Sequence, residues 1–122
     1  AAATDEAADV RVEAFKAVAA ASRGAPTAAR RELLPAAAPA VERALREVNI
    51  SVKGAAERCL VYLLELRSRP ETLDELSNGN LGVDTQIASF LRDYAARHGE
   101  RLAAAEAARE DADESGGEEK KG

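Results

Sequence analysis

Apolar side chains recur at helical spacing along most of the chain, and this pattern predicts an all-α protein of five helices. The first predicted helix extends from about Asp5 to Ser22. One side of it carries Val10, Ala14, Ala17, Val18 and Ala21. Gly24 and Pro26 end this helix, and Thr27 is the predicted cap of the second one.

Proline interrupts the second apolar segment, ARRELLPAAAPAVERALREV, which covers residues 29–48. Pro35 is expected to kink this segment or to split it into a short helix and a longer one, because proline removes a helical hydrogen bond. Pro39 then falls in the first turn of the longer piece, where proline is tolerated.

The third helix is predicted from about Ile50 to Leu66, and Ser68-Arg69-Pro70 then breaks the pattern. It follows Asn49-Ile50-Ser51, which matches the N-x-S acceptor pattern of N-glycosylation. A helix cap is the other explanation, since Asn49 or Ser51 can accept a hydrogen bond from a free N–H of the first turn. The sequence does not decide between these two caps.

A short fourth helix, ETLDEL at residues 71–76, is predicted to end at Asn78-Gly79. Asp84 or Thr85 can cap the last long helix, whose apolar side ends near Leu102. Residues 104–122 then hold seven acids and three bases in a low-complexity stretch. We expect this acidic tail to be disordered, because it has too few apolar residues to offset the entropy lost on ordering.

A repeat relates the first helix to the third. With a shift of 42 positions, small and apolar residues of the first helix fall on similar residues of the third. The pairs are Val10 and Val52, Ala14 and Ala56, Ala17 and Cys59, Val18 and Leu60, and Ala21 and Leu63. Periods of about 40–47 residues built from helix pairs are typical of HEAT and armadillo arrays.

The repeat predicts a HEAT/armadillo-like helical solenoid in which residues 1–103 form about two and a half units that cap its C-terminal end. Each helix pair exposes apolar faces that neighbouring repeats cover. The residues expected to pack between repeats are Val10, Ala14, Val18, Val52, Ala56, Leu60 and Leu63. Separated from its neighbours, such a chain is expected to be marginally stable or to self-associate.

From Arg46 to about Ala103 the chain also resembles a known family. An Arg–x–x–Asn turn, Arg46 to Asn49, leads to the helix start Val52-Lys53, and Glu57 and Leu63-Leu64 follow. This order, with a short helix, one last helix and an acidic end, is similar to the extreme C-terminus of the large HEAT-repeat translational activators of the general amino acid control pathway.

The resemblance implies a non-enzymatic scaffold within a cytoplasmic, ribosome-associated translational regulator. Its full-length form would bind ribosomes and activate the amino-acid-starvation kinase of initiation factor two. The kinase and other translation factors would bind upstream of this segment. The alternative is a HEAT-repeat scaffold for protein–protein interaction with no link to the ribosome.

Residues that carry chemistry are few in this chain. One cysteine, Cys59, and one histidine, His98, cannot assemble a His-containing catalytic triad or a Cys/His metal site of the usual ligand number. We therefore expect no enzyme, no cofactor and no metal, with Cys59 in the core. No apolar run approaches the ~20 residues of a membrane span, which favours a cytoplasmic protein without membrane contact. A secreted helical domain glycosylated at Asn49 is the alternative.

Basic side chains are the one surface signal, although the net charge is −5. The candidates for a surface that contacts a partner or RNA are Arg30, Arg31, Arg43, Arg46, Lys53 and Arg58. If they converge, they can bind ribosomal RNA phosphates or an acidic protein. The alternative is local pairing at i,i+4, as in Arg46 with Glu42 and Lys53 with Glu57.

Overall fold

The computed structural model describes residues 2–67 and 71–121, and it describes the side chains of 7–67 and 71–112. The described residues contain five α-helices. The helices are α1 (Ala2–Arg23), α2 (Thr27–Leu45), α3 (Ile50–Leu63), α4 (Thr72–Ser77) and α5 (Thr85–Lys121). These described residues contain no strand, so the prediction of an all-α fold is confirmed.

Helix α3 is the centre of the molecule and packs against α1, α2 and α5, while α2 and α4 also contact α5. Its buried residues are Val52, Ala55, Ala56, Cys59, Leu60, Val61, Tyr62 and Leu63. They cover most of the helix surface, whereas Lys53, Gly54, Glu57 and Arg58 on the remaining side are only half-buried. A helix with so wide an apolar face is covered by several other elements. Hence α3 holds the other helices together, and the core is built around it.

Polar side chains cap two of the three helices for which N-caps were expected. The Asn49 Oδ1 atom accepts a hydrogen bond from the Val52 backbone N–H at 3.1 Å, so Asn49 and not Ser51 caps α3. The Asp84 carboxylate likewise accepts from the N–H groups of Gln86 and Ile87, at 3.0 and 3.3 Å. These bonds satisfy N–H groups that have no partner within the helix.

Two expectations for α2 were wrong. Pro26 and not Thr27 is the N-cap residue, and the Thr27 hydroxyl donates to the Glu65 carboxylate at 3.1 Å. Pro35 does not split the segment, because α2 is one helix with both prolines inside it, so Pro39 is not in the first turn of a second helix. The other expected outcome, a kink at Pro35, stays a prediction. Leu34, on the turn beside Pro35, is buried. Packing of this apolar face against α3 offsets the hydrogen bond that proline removes.

Helix α3 ends three residues earlier than predicted, in a turn closed by Glu65. The Glu65 backbone has a positive φ of 50°. Residues other than glycine adopt this left-handed conformation at a cost of about 1–2 kcal/mol. The Leu66 N–H bonds to the Val61 carbonyl at 3.0 Å, which makes this a Schellman end. The predicted break at Ser68-Arg69-Pro70 lies outside the described residues.

Helix α4 ends where the sequence predicts, but helix α5 is longer than predicted. Helix α4 ends as expected, with Asn78 as its C-cap and Gly79 at a φ of 79°. Helix α5, however, continues past Leu102, and Glu106 is only 3% exposed. Residues 104–112 of the predicted tail thus belong to a packed helix. The disorder expected farther on stays a prediction, because the side chains of 113–122 lie outside the described part.

Candidate functional site

Four of the six predicted basic residues have partners within the molecule. Arg31 pairs with Glu75 of α4, and Arg46 pairs with Glu42 while its guanidinium lies 4.2 Å from the centre of the Phe90 ring. Arg30 and Arg58 form ion pairs at 2.7 and 3.2 Å, with Glu65 and Glu106 respectively.

These bases do not form a single surface. Arg46 contacts Phe90 and Arg58 contacts Glu106, and these two α5 residues are separated by about 24 Å of helix at ~1.5 Å per residue. The expected pair of Lys53 with Glu57 is not among the ion pairs of the described residues. Glu57 instead accepts a hydrogen bond from Tyr94 and lies 3.8 Å from Arg101. Ion pairs within the molecule thus engage four of these bases. Only Arg46–Glu42 is a local i,i+4 pair, and the partners of Arg30, Arg31 and Arg58 are distant in sequence.

Arg30 joins three helix ends. Its Nε and Nη2 atoms donate to the carbonyl oxygens of Ser22 and Arg23, at 2.6 and 3.1 Å, in the last turn of α1. Its Nη1 atom donates to Glu65 just beyond α3. A guanidinium presents its donors in a rigid planar fork, and cations are favoured beside the carbonyl end of a helix. Arg30 is therefore a positioning residue that fixes α1 against α3.

A second cluster of polar side chains connects α3 to the end of α5. The Tyr62 hydroxyl lies 2.8 Å from a Glu106 oxygen and 2.9 Å from a Glu110 oxygen, and Arg67 donates to Glu110 at 2.7 Å. Burial, followed by the two carboxylates, raises the pKa of Tyr62 to about 12. The Arg67 guanidinium, followed by Tyr62, lowers the pKa of Glu110. One phenol has a single hydrogen, so it can donate to only one carboxylate at a time.

Sequence reasoning missed this cluster because it assigned Glu106 and Glu110 to a tail. A signal was available in the spacing of Leu102, Glu106 and Arg109, which continues the i, i+4, i+7 stripe of the last helix. The prediction followed the acidic composition of residues 104–122 and not this periodicity. In the structure Glu106 contacts Tyr62 of α3, and Glu110 contacts Arg67, just after α3.

Cys59 is fully buried, as predicted for a core residue. Its thiol donates to the Phe15 carbonyl oxygen at 3.0 Å, and burial raises its pKa to about 12. A thiol that stays protonated and inaccessible is a poor nucleophile. The ring of His98 lies 4.6 Å from that of Tyr94, centre to centre. The described residues contain no cluster of three or more His, Cys, Asp or Glu side chains that could hold a metal ion.

The predicted repeat-packing residues divide into two groups. Val52, Ala56, Leu60 and Leu63 of α3 are buried, as expected. On α1, however, Val10 is 68% exposed, Ala14 is exposed and Val18 is only half-buried. The reason is the orientation of α1, which presents Phe15, Ala19 and Ser22 to the core.

An apolar groove of about 330 Å³ follows from that orientation, on the outer side of α1 and α2. It is lined by Arg11, Ala14, Phe15, Val18, Ala36, Ala37, Ala40 and Arg43. Arg11, near the middle of α1, pairs with Glu47, which holds this part of the helix beside the turn between α2 and α3. Small side chains on both walls make the groove shallow and allow another helix to approach closely.

No family model, no curated protein and no solved structure matches this chain. Among the described residues, no helix is both long and apolar enough to cross a membrane. A function for the chain is therefore argued from its repeat and from its surfaces.

Proposed function

We propose that this chain is the terminal part of a HEAT-type stack of helix pairs and acts as a non-enzymatic scaffold for protein–protein interaction. A stack of this kind is built by translation, so that equivalent helices turn one face back to the preceding unit and the opposite face forward to the next. The relation between α1, α3 and α5 supports such a translation.

The main support for the proposal is that residues of α1 and α3 related by the 42-residue repeat face in the same direction along the stack. On α3, Cys59 faces back to α1, where it contacts Phe15. Its counterpart on α1 is Ala17, which is exposed. Phe15 faces forward to α3, and its counterpart Glu57 faces forward to α5, where it accepts a hydrogen bond from Tyr94.

The outer groove of α1 and α2 fits one occupant best, a preceding helix pair of the same kind. Its α1 wall contains Ala14 and Val18, whose counterparts Ala56 and Leu60 are buried in α3. The apolar pattern that is buried on α3 is thus exposed on α1. This is expected if α1 belongs to a repeat whose preceding neighbour is not among the described residues.

The association state of the isolated chain tests this proposal. Because the α1 face is apolar and open, we expect concentration-dependent self-association and a broad, low thermal transition, measured by analytical ultracentrifugation and circular dichroism. Ala14→Glu places a charge in the groove and should shift the chain to monomer. A sharp, monomeric, high-temperature transition in the unmodified chain contradicts the proposal.

Ala96→Glu is the matched control for this experiment. Ala96 is also an exposed alanine within a long helix, but it is on α5 and away from the groove. The control adds the same charge, so it should leave self-association unchanged. If both variants abolish association equally, net charge and not the groove is responsible, and the α1 face is not a packing surface.

The resemblance adds a second level to the proposal, in which the scaffold belongs to a cytoplasmic translational regulator that binds ribosomes and activates the starvation kinase. Only the sequence order from Arg46 to Ala103 supports this level. Co-sedimentation of the intact protein with ribosomes, lost at high salt, is the expected result. Absence from every ribosomal fraction favours a HEAT scaffold without a ribosome link.

A further inference from the structure

A cleft of about 430 Å³ lies between α1, α3 and α5, and no residue of α2 or α4 lines it. Its floor consists of small and apolar side chains: Val12, Ala19, Gly54, Ala55, Val61, Leu102 and Ala105. A Cβ atom built on Gly54 meets nothing within 4 Å, so the floor is open at this point. Ile50 is 85% exposed and lines the mouth of the same cleft.

Positive charge predominates at the rim. The lining residues include four bases, Lys16, Arg58, Arg101 and Arg109, and two acids, Glu57 and Glu106. Arg58 is largely committed to Glu106, at 3.2 Å. The side chains of Lys16, Arg101 and Arg109 remain more than half exposed, and their ion pairs measure 3.4, 3.8 and 3.7 Å. Pairs this exposed are weak, so the bases are able to turn toward a partner.

We propose that this cleft binds an amphipathic helix that carries acidic residues beside its apolar face. An exposed apolar floor gains from burial against an apolar helix face, and a rim of bases attracts acids on its flanks. The cleft runs along α3 from Ile50 to Val61, about 16 Å or three helical turns. Arg101 and Arg109 are two turns apart on α5, so acids about eight residues apart on the partner match them.

The apolar floor favours a helix over a nucleic acid. A phosphate backbone gains little from covering apolar side chains, because its attraction to a protein is electrostatic. An acidic helix buries the floor and keeps its carboxylates at the rim beside the exposed bases. The proposal goes beyond the scaffold function because it names the chemistry of a partner. It depends on the cleft alone, so its failure leaves the stacking proposal untouched.

Binding of a synthetic helical peptide tests the proposal. The probe is a fluorescein-labelled peptide of about three turns, with leucines along one face and glutamates on both flanks. Fluorescence anisotropy with the whole chain should show saturable binding that weakens with salt. A peptide with lysines in place of the glutamates should bind at least about tenfold more weakly. Equal binding of both peptides overturns the proposal.

Two variants locate the binding site. Gly54→Leu fills the open floor and should weaken binding about tenfold or more, while leucine in place of glycine raises helix propensity. Arg101→Glu reverses a charge at the rim and should weaken binding too. Arg97→Glu is its matched control, one turn earlier on α5, exposed and not part of the cleft. Circular dichroism checks that each variant keeps the helical content of the unmodified chain.

Three outcomes contradict the assignment. Unchanged binding to Gly54→Leu shows that the floor is not used. Equal losses for Arg97→Glu and Arg101→Glu show that overall charge, and not the cleft, attracts the peptide. A single-stranded RNA that displaces the peptide, and that binds Gly54→Leu as tightly as the unmodified chain, shows a nucleic-acid surface instead.

Discussion

Helices α1 and α3 carry the same pattern of small and apolar residues but differ in what covers them. Val52 on α3 is 0% exposed, whereas its counterpart Val10 on α1 is 68% exposed. Helix α3 packs against α1, α2 and α5, whereas α1 packs mainly against α3 and touches α2 only slightly, which leaves the side of α1 with Val10 and Ala14 uncovered. The comparison teaches that an apolar stripe predicts a surface suited to packing, and that the neighbouring elements decide whether this surface is buried.

The largest expected effect comes from a pair of equivalent substitutions, Ala56→Glu on α3 and Ala14→Glu on α1. Ala56 is fully buried, so a carboxylate there lacks both room and a partner and should lower the free energy of unfolding by more than about 4 kcal/mol. Ala14 is exposed, so its variant should stay within about 0.5 kcal/mol of the unmodified chain. Urea denaturation, at a concentration where the chain is monomeric, measures both.

Similar losses at the two positions would break the comparison, because they would mean that α1 is covered on both sides like α3. Valine at the same two positions refines the result. Ala56→Val should destabilise through overpacking by roughly 1–3 kcal/mol, and Ala14→Val should have little effect.

The second prediction concerns the polar connection from α3 to α5 through Tyr62, whose counterpart on α1, Ala20, has no polar side chain. Glu110→Gln removes the charge that pairs with Arg67 and Arg23 and lies beside the Tyr62 hydroxyl, and should reduce stability by about 1 kcal/mol at neutral pH. The folded-state pKa of Glu110 is lowered, so its contribution is present above the unfolded value of about 4.3 and is lost as the pH falls through the folded value.

The difference between the unmodified chain and Glu110→Gln should therefore disappear in acid, as urea denaturation over a range of pH can show. Glu100→Gln is the control, since Glu100 is an exposed acid on the same helix. A difference that persists unchanged at low pH means that the ion pair with Arg67 is not its source.

The smallest expected effect is at Ser22, whose counterpart on α3 is Leu64. Both residues are fully buried, but the Ser22 hydroxyl has no hydrogen-bond partner among the described residues. Ser22→Ala removes this unpaired group and should leave stability unchanged or raise it by up to about 1 kcal/mol. A clear loss of stability by thermal or urea unfolding indicates that the hydroxyl is bonded after all.

Local signals predicted the all-α fold and the third helix, and they narrowed the caps to Asn49 or Ser51 and to Asp84 or Thr85, because periodicity and capping depend on near neighbours in sequence. The paired state of Arg30 and Arg58 could not be predicted in this way. Their partners Glu65 and Glu106 are 35 and 48 residues away, and only packing brings them together. Phe15 was not among the predicted packing residues of α1, and it is the side chain that turns toward α3.

Two of the polar attachments of α1, through Arg11 and Arg30, have a mechanical consequence. Arg11 fastens one part of the helix to Glu47, and Arg30 fastens its last turn through Ser22 and Arg23. These attachments are about 16 Å apart, so a force along the helix axis loads both of them in shear. A force perpendicular to the axis, applied at the N-terminal end, loads Arg11 first and peels the helix toward Arg30. These two attachments therefore resist a sliding of α1 along its axis more strongly than they resist its detachment from the N-terminal end.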